Sequence, residues 1–314
     1  MNDGAVLGLD TSNYTCSAAY FDTLTGELRQ ARQLLPVKSG EKGIRQSDAV
    51  FHHTVLLPQM IERLGITGGV CAVGVSDRPS CREGSYMPCF CVGVGTARAI
   101  SQVSEIPYYT TTHQTGHILA ALYSADKLDL VREERDFIAF HVSGGTTDML
   151  LCGHDEEKLL RVERIGGSND LKAGQAIDRC GVMLGLDFPC GAELEKLAME
   201  CGENIAVKPT VKGMECSLSG LENKCGKLFD EGADRRYIAL FCLRSVGAAI
   251  DALTAAARER YGALPVLYAG GVMSDRLIAE MLSKRDDVYF AEPQFSCDNA
   301  AGTALYAAFM KGLI

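Results

Sequence analysis

The stretch VLGLDTS at residues 6–12 is an apolar run that ends in an acidic, hydroxyl-bearing turn. A short apolar run bounded by turn residues is typical of a buried β-strand. Residues 16–21 (CSAAYF) predict a second strand, and the turn at residues 25–28 (TGEL) predicts a hairpin into a third. The chain is therefore expected to open with strands that fold back on one another.

The same pattern recurs near residue 145. Residues 137–142 (FIAFHV) predict a strand, residues 143–147 (SGGTT) a polar glycine-containing turn, and residues 148–152 a second strand. Two copies of a strand–turn–strand unit indicate a weak internal repeat, and a repeat constrains the class of fold. Two unrelated hairpins would give the same spacing, and the spacing alone leaves that alternative open.

Other segments fit an α/β protein. Residues 46–64 and 93–104 have helical character, residues 70–76 and 266–269 predict buried strands, and residues 300–310 predict a helix of small residues. A length of 314 residues is long for one hydrophobic core and natural for two lobes.

Composition limits the class of protein. The chain is 47% hydrophobic and 23% charged, which is ordinary for a globular protein, and we expect neither a signal peptide nor a membrane-spanning run. Thirteen scattered cysteines predict free, mostly buried thiols and a cytoplasmic location. Because the net charge is −9, any nucleic-acid partner would need a local basic patch or a helper protein.

The stretch THQTGHILAA at residues 112–121 carries two histidines at the start of an apolar run. Positions i and i+4 share one face of a helix, so His113 and His117 can reach one ion. Two ligands do not complete a stable site, and we predict Asp298, in SCDNAAG at residues 296–302, as the third. The alternative is that the histidines begin a helix and bind no metal.

The two glycine- and hydroxyl-containing turns predict phosphate binding. Hydroxyls and unpaired backbone N–H groups at a tight turn form an anion cradle, and glycine lets the backbone approach a ligand closely. We predict that two such loops hold a nucleotide between them. The residues predicted for this role are Thr11, Ser143, Gly144, Gly145 and Thr146.

Three further residues are predicted to hold the nucleoside. Asp275 ends the segment AGGVMSD at residues 269–275 and can accept hydrogen bonds from ribose hydroxyls. Asp178 lies among small residues and could bind a ribose diol, while Gly191 could bring backbone against the nucleoside. A surface Asp178 that merely pairs with Arg179 is the alternative.

Taken in order, these motifs resemble the tRNA N6-adenosine threonylcarbamoyltransferase family (TsaD/Gcp), formerly labelled O-sialoglycoprotein endopeptidase. The resemblance covers nearly the whole chain and implies the two-lobed α/β fold of actin, hexokinase and Hsp70, with duplicated ribonuclease H-like domains. We expect lobe I at residues 1–108 plus 298–314 and lobe II at 109–297, with the metal and nucleotide site between them. The matching segments are residues 6–12, His113, His117, residues 142–147 (VSGGTT), 173–191, 217–221 (SLSGL), 269–272 and 298–301.

The resemblance also implies a reaction. Family members transfer a threonylcarbamoyl group from threonylcarbamoyl-adenylate to N6 of the adenosine next to the tRNA anticodon, with help from partner proteins. It implies one divalent metal, iron or zinc, on His113, His117 and Asp298. It further implies an adenine nucleotide or acyl-adenylate on residues matching Asp178, Gly191 and Asp275.

The chain departs from the family pattern at four places. The acidic pair that usually follows the first Thr-Ser is replaced by residues 13–15 (NYT), and the histidine of Ser-Gly-Gly-His-Thr is Thr146. The usual asparagine of the nucleoside strand is Asp275, and the lysine after Ser-Gly-Leu is Glu222. Because groups that could move protons are lost, we assign no catalytic residue and interpret the chain as a divergent paralogue.

The sequence leaves three alternatives to the transferase. One is a non-catalytic or regulatory paralogue that binds nucleotide and dimerises with a true synthase. A metallopeptidase is disfavoured, since its helix needs a glutamate in H-E-x-x-H and residues 114–116 are QTG. A small-molecule kinase would need a catalytic aspartate near a phosphate loop, for which Asp10 or Asp148 could serve.

Overall fold

The computed structural model describes residues 4–36, 44–82, 84–296 and 300–314. The strands are β1 (Ala5–Asp10), β2 (Thr15–Asp22), β3 (Leu28–Leu34), β4 (Ala72–Arg78), β5 (Tyr108–Thr112), β6 (Phe137–Val142), β7 (Thr147–Asp155), β8 (Leu159–Ser168), β9 (Val211–Lys212), β10 (Glu215–Cys216), β11 (Val266–Ala269) and β12 (Val288–Phe290). The α-helices are α1 (Gln46–Arg63), α2 (Phe90–Ser104), α3 (His113–Ser124), α4 (Asp129–Arg132), α5 (Ala173–Met183), α6 (Gly191–Met199), α7 (Ser219–Asp230), α8 (Arg235–Tyr261), α9 (Arg276–Leu282) and α10 (Ala301–Met310). Short 3₁₀ helices lie at Gly271–Ser274 and Pro293–Phe295.

The chain forms two compact units. The first comprises Met1–Glu133, His154–Arg161 and Gln294–Ile314, and the second comprises Glu134–Gly153 and Val162–Pro293. This division differs from the boundary that we predicted at residue 108. Strand β5 pairs in parallel with β4, and α3 packs against α10, so residues 109–133 group with the first unit.

The first unit contains a five-stranded sheet in the order β3-β2-β1-β4-β5. Strand β1 pairs antiparallel with β2 and parallel with β4. All six residues of β1 are buried, which explains why the five residues before Asp10 are continuously apolar rather than alternating. The polar residues at its carboxyl end are thereby placed at the edge where β4 also ends.

The second unit contains a seven-stranded sheet in the order β12-β11-β6-β7-β8-β10-β9. Strand β6 pairs antiparallel with β7 and parallel with β11, which in turn pairs parallel with β12. The strands β8-β7-β6-β11-β12 therefore repeat the order of the first sheet. The repeat expected from the sequence is a duplicated domain, not two unrelated hairpins.

Helix α10 completes the first unit through backbone-to-backbone packing. It lies against α3 and against strands β1 and β4, and residues 301–308 are all buried. A Cβ atom on Gly302 would lie 1.7 Å from the carbonyl oxygen of Gly116, and one on Gly74 would lie 1.8 Å from the carbonyl oxygen of Thr303. These glycines let α10 approach both neighbours more closely than any side chain would allow.

Helix α8 forms the centre of the second core. Among the described residues, α8 is the helix that is long enough, with 27 residues, and apolar enough to cross a membrane. The sequence had predicted no membrane-spanning run. Most of its apolar window is buried inside the unit, where it packs against α6, α7 and α9. This burial is what a core helix shows.

Candidate metal and nucleotide sites

Helix α3 places its two histidines on one face, as the spacing predicts. The Thr112 hydroxyl caps the helix by accepting a hydrogen bond from the Thr115 N–H at 3.0 Å. The Nε2 atoms of His113 and His117 lie 2.9 Å apart, and the ring centroids are separated by 4.3 Å. Two imidazole nitrogens thus converge on one point.

A buried carboxylate contacts the ring nitrogen of His113 that does not face His117. Oδ2 of Asp10, at the end of β1, lies 3.1 Å from Nδ1 of His113 and also accepts a hydrogen bond from the Ser12 hydroxyl at 2.7 Å. The Ser76 hydroxyl donates to Oδ1 of Asp10. Burial alone would raise the pKa of Asp10, but the charge of His113 and these three hydrogen bonds outweigh it and lower the pKa.

The ionised Asp10 determines the tautomer of His113. In the neutral imidazole, which is the form that binds a metal, Nδ1 of His113 carries the proton and donates it, because the carboxylate can only accept. The lone pair of His113 is then on Nε2 and faces His117. A carboxylate that orients a histidine in this way is a common partner of metal-binding imidazoles.

Sequence reasoning missed this role of Asp10, which it considered only as a kinase aspartate. Its signal was the acid at the end of an otherwise apolar strand, but the contact joins residues 103 positions apart. Thr11 also differs from its predicted role. It is fully buried, and its hydroxyl donates to the Cys89 carbonyl at 3.0 Å and accepts from the Gly93 N–H at 3.2 Å. That hydroxyl anchors α2 rather than facing a ligand.

Asp298, the predicted third ligand, lies outside the described residues. The described chain resumes at Ala300, and Gly302 packs against Gly116, which lies between the two histidines of α3. Helix α10, which begins three residues after Asp298 in the sequence, therefore runs alongside the histidine helix.

The loop after β6 has the form of a tight polar turn. The Ser143 N–H donates to the Thr146 carbonyl at 2.8 Å, and the Ser143 hydroxyl accepts from the Thr146 N–H at 3.2 Å. Gly144 and Gly145 are exposed, and a Cβ atom on either would meet no heavy atom within 4 Å. The packing of the protein itself therefore does not explain why these two positions are glycine.

Helix α5 starts directly against this loop. The Ala173 N–H donates to the Thr147 hydroxyl at 2.9 Å, and the Gly174 N–H donates to the Ser143 carbonyl at 3.2 Å. A Cβ atom on Gly174 would lie 2.6 Å from the Cα atom of Gly144. The absence of a side chain at Gly174 thus lets α5 pack closely against the loop.

Asp178 and Gly191 are brought together by the segment between them. Oδ1 of Asp178 accepts a hydrogen bond from the Cys190 N–H at 2.9 Å, one residue before α6 begins at Gly191. The alternative pairing with Arg179 is wrong, because Arg179 forms an ion pair with Glu222 at 2.7 Å. Glu222, a departure from the family pattern, therefore has a structural partner.

Asp275 is buried and caps α9. Its Oδ1 accepts a hydrogen bond from the Ile278 N–H at 3.0 Å, so part of the carboxylate predicted to bind ribose serves the helix. Burial, helped by the nearby negative charge of Glu195, raises the pKa of Asp275 to about 6. Gly270, just upstream, has φ of 101° and approaches Val142 closely, so the turn itself requires this glycine.

We expect Asp275→Asn to stabilise the protein at neutral pH. Between pH about 4 and about 6 the folded state keeps a proton that the unfolded state has lost, so stability falls as the pH rises through this interval. Asparagine keeps the cap and carries no charge, so the free energy of unfolding should rise by about 2 kcal/mol at pH 7.5. Urea unfolding at pH 7.5 and pH 4 measures the difference.

The matched control is Asp234→Asn at the exposed N-cap of α8, where Asp234 accepts from the Arg236 N–H. The pKa of Asp234 is lowered, mainly by its hydrogen bonds from Arg236, so this variant should show no gain at neutral pH. Equal gains for Asp275→Asn at both pH values would contradict the prediction.

The kinase alternative has little support from the two aspartates considered for it. Asp10 is held by His113, Ser12 and Ser76. Asp148 forms an ion pair with Arg164 at 2.8 Å, and Arg164 also pairs with Glu215 at 2.9 Å. Both carboxylates already have positively charged or hydrogen-bonding partners.

Solved structures confirm the predicted fold class. Component A of (R)-2-hydroxyglutaryl-CoA dehydratase from Acidaminococcus fermentans is similar over 99% of this chain and 100% of its own, with a TM-score of 0.59 and 15% identity. Full-length HypF, solved in its phosphate- and nucleotide-bound form, matches 99% of this chain and 46% of its own (TM-score 0.61, 13% identity). An ROK family glucokinase from Streptomyces griseus, in complex with glucose and AMPPNP, covers 98% and 100% (TM-score 0.54, 12% identity).

Sequence relatives define the family. The tRNA N6-adenosine threonylcarbamoyltransferase of Thermus thermophilus is 28% identical over 313 residues, which cover 96% of this chain and 91% of the relative. The enzyme of the same name from Methanopyrus kandleri is 28% identical over 268 residues, covering 82% and 74%. The TsaD family model, described as tRNA N6-adenosine threonylcarbamoyltransferase, matches residues 37–305. The chain therefore belongs to the TsaD family, as a divergent member.

Proposed function

We propose that this protein binds one divalent metal ion, iron or zinc, through His113, His117 and Asp298. With that ion it transfers a threonylcarbamoyl group from threonylcarbamoyl-adenylate to N6 of the adenosine next to the tRNA anticodon. The observation that carries the proposal is that the Nε2 atoms of His113 and His117 lie 2.9 Å apart, while the Asp10 carboxylate contacts Nδ1 of His113.

The donor set fits such an ion. Imidazole nitrogens and a carboxylate oxygen are ordinary ligands of iron and zinc. The tautomer imposed by Asp10 keeps the Nε2 lone pair of His113 available on the side of His117. When bound, the ion would supply Lewis-acid polarisation of the carbamoyl carbonyl.

The nucleotide part of the substrate fits the second unit. The open space over Gly144 and Gly145 would let phosphate oxygens approach the backbone, as in other anion cradles. Because the Ser143 and Thr146 N–H groups are used within the turn, we assign the stabilisation of developing negative charge to the backbone at Gly144 and Gly145. One oxygen of Asp178 is used by Cys190, and we assign the other, together with backbone at Gly191, to the ribose.

The protein's own groups would mainly bind and orient. Residues 13–15 and Thr146 offer no carboxylate or imidazole at the positions where the family usually has them. Proton transfer would then depend on the substrate or on partner proteins, and we expect slower turnover than in a full-motif member. We propose tRNA and helper proteins as partners, and the cytoplasm as location.

The second candidate is a regulatory paralogue that binds nucleotide, keeps the metal and dimerises with a full-motif synthase. The observation that favours it is the same loss at residues 13–15 and at Thr146, which removes chemistry while leaving the Asp10–His113–His117 arrangement intact. Both candidates share the metal and differ in turnover.

The deciding experiment supplies the purified protein with threonylcarbamoyl-adenylate, tRNA and the family's partner proteins. Modified adenosine is measured by mass spectrometry of digested tRNA, with and without prior chelation. Metal-dependent product supports the transferase. Absence of product in every combination, together with measurable nucleotide binding, rejects the transferase and supports the regulatory paralogue.

We expect Asp10→Asn to lower metal affinity by about 10- to 100-fold, because the neutral amide no longer polarises His113. Competition with a coloured chelator measures the dissociation constant. Asp126→Asn, at an exposed positive-φ position just after α3 that asparagine tolerates, is the matched control. Equal affinities in the two variants would show that Asp10 does not support the metal ligand.

A further inference from the structure

Three cysteines from three different helices converge in the core of the second unit. Cys180 lies on α5, Cys225 on α7 and Cys242 on α8, and their Sγ atoms all lie within 4.8 Å of one another. Their exposed fractions are 3%, 1% and 0%. Within the described part of the chain, this is the place where three histidine, cysteine or acidic ligand atoms come this close.

The packing of the helices makes this cluster possible. Helices α5, α7 and α8 contact one another pairwise, and the three cysteines belong to a continuous apolar core. Each could have packed its sulfur against aliphatic neighbours, as isolated core cysteines do. Instead the three sulfurs face one another, and nothing in the proposed transfer reaction uses them.

The thiols also interact electrostatically. Hydrogen bonding within the cluster lowers the pKa of the Cys225 thiol and raises the pKa values of Cys180 and Cys242, while the Cys242 thiol also donates to the Ala176 carbonyl at 4.0 Å. A thiolate that forms next to two further sulfurs is the form of cysteine that binds metals.

We propose that Cys180, Cys225 and Cys242 form a binding site for one Cu(I) ion. Metal–sulfur bonds of about 2.3 Å, as zinc makes, would place three sulfurs around a three-coordinate ion about 4 Å apart. The observed spread, within 4.8 Å, needs only a small contraction to reach this geometry.

The number of ligands and the burial favour copper(I) over zinc. Soft thiolates select Cu(I), zinc and iron–sulfur clusters, but zinc in structural sites is almost always four-coordinate. Water cannot readily fill a fourth position in a core where the three residues are at most 3% exposed. The neighbouring Cys190 is engaged elsewhere, since its thiol donates to the Asp178 carbonyl at 3.4 Å.

The test titrates the full-length protein with Cu(I) under anaerobic, reducing conditions against a coloured Cu(I) chelator. To keep the α3 histidines from contributing, the titration is repeated in a His113→Ala/His117→Ala background. We expect one equivalent bound per chain in that background, a near-ultraviolet thiolate-to-copper charge-transfer band, and three Cu–S contacts by X-ray absorption.

Cys225→Ser and Cys242→Ala should each weaken copper binding by about 100-fold or more, since loss of a direct ligand should cost at least as much as loss of its supporting partner. Cys152→Ala is the matched control, because Cys152 is fully buried in the same unit and outside the cluster. It should bind copper as the parent does.

Should the cluster variants fail to fold, the parent protein still decides the question. Bound Cu(I) should raise the melting temperature of the His113→Ala/His117→Ala protein, because a ligand that binds the folded state stabilises it. Unchanged melting, nitrogen or oxygen ligation by X-ray absorption, preferential uptake of four-coordinate zinc, or unchanged binding in Cys225→Ser would each overturn the proposal.

Discussion

Purified His113→Ala protein is expected to contain almost no bound iron or zinc, with a metal affinity reduced more than about 100-fold. His113 provides one of the two converging Nε2 atoms and is the imidazole that Asp10 orients. Its removal would therefore take away a proposed direct ligand and uncouple the supporting carboxylate, and the second effect alone is worth about 10- to 100-fold. Elemental analysis of protein purified without added metal, followed by chelator competition, measures both occupancy and affinity.

His52→Ala is the control for this experiment. His52 lies on α1 in the same unit, stacks edge-on against Phe51, and has no predicted role in metal binding. It should retain the metal of the parent. If His113→Ala retains it as well, the two histidines are a helix-start feature and the metal assignment fails.

Gly302→Ala is expected to lower the free energy of unfolding by about 2 kcal/mol. Its Cβ atom would lie 1.7 Å from the Gly116 carbonyl oxygen, so two packed helix backbones would have to separate. Overpacking of this kind costs about 1–3 kcal/mol and occasionally more, whereas alanine gains back up to about 1 kcal/mol of helix propensity. Because Gly116 lies between the two histidines, metal affinity should fall too. Urea unfolding at neutral pH measures the change in stability.

Gly95→Ala provides the matched comparison. Gly95 lies within α2 of the same unit, and a Cβ atom there would meet no heavy atom within 4 Å. This variant should be more stable than the parent by about 0.5–1 kcal/mol. A similar small gain for Gly302→Ala would show that α10 does not press against α3 as described.

The sequence was most informative where local pattern and structure coincide. The apolar run of β1 and the matching run of β6 predicted the duplicated sheet, because a buried central strand needs apolar residues on both faces. The i, i+4 spacing placed His113 and His117 together, since helix geometry alone brings such positions onto one face.

Contacts distant in sequence were not predictable from the pattern. The partner of His113 lies 103 positions away, and only the folded sheet brings β1 to the start of α3. The hydroxyl of Thr11 and part of the Asp275 carboxylate are used by α2 and α9, because polar side chains near helix starts satisfy backbone groups before any ligand does. The predicted lobe boundary at residue 108 differs from the observed division for the same reason. The pairing of β5 with β4 is a contact between distant segments, which the local pattern does not predict.

The placement of α10 has a consequence for biosynthesis. The second unit consists of residues 134–153 and 162–293, all of which are translated before α10, whereas α10 packs on β1 and β4 of the first unit. The unit that contains the first strands to be translated is thus completed only when α10 has been made, and until then β1 and β4 lack the helix that packs on them.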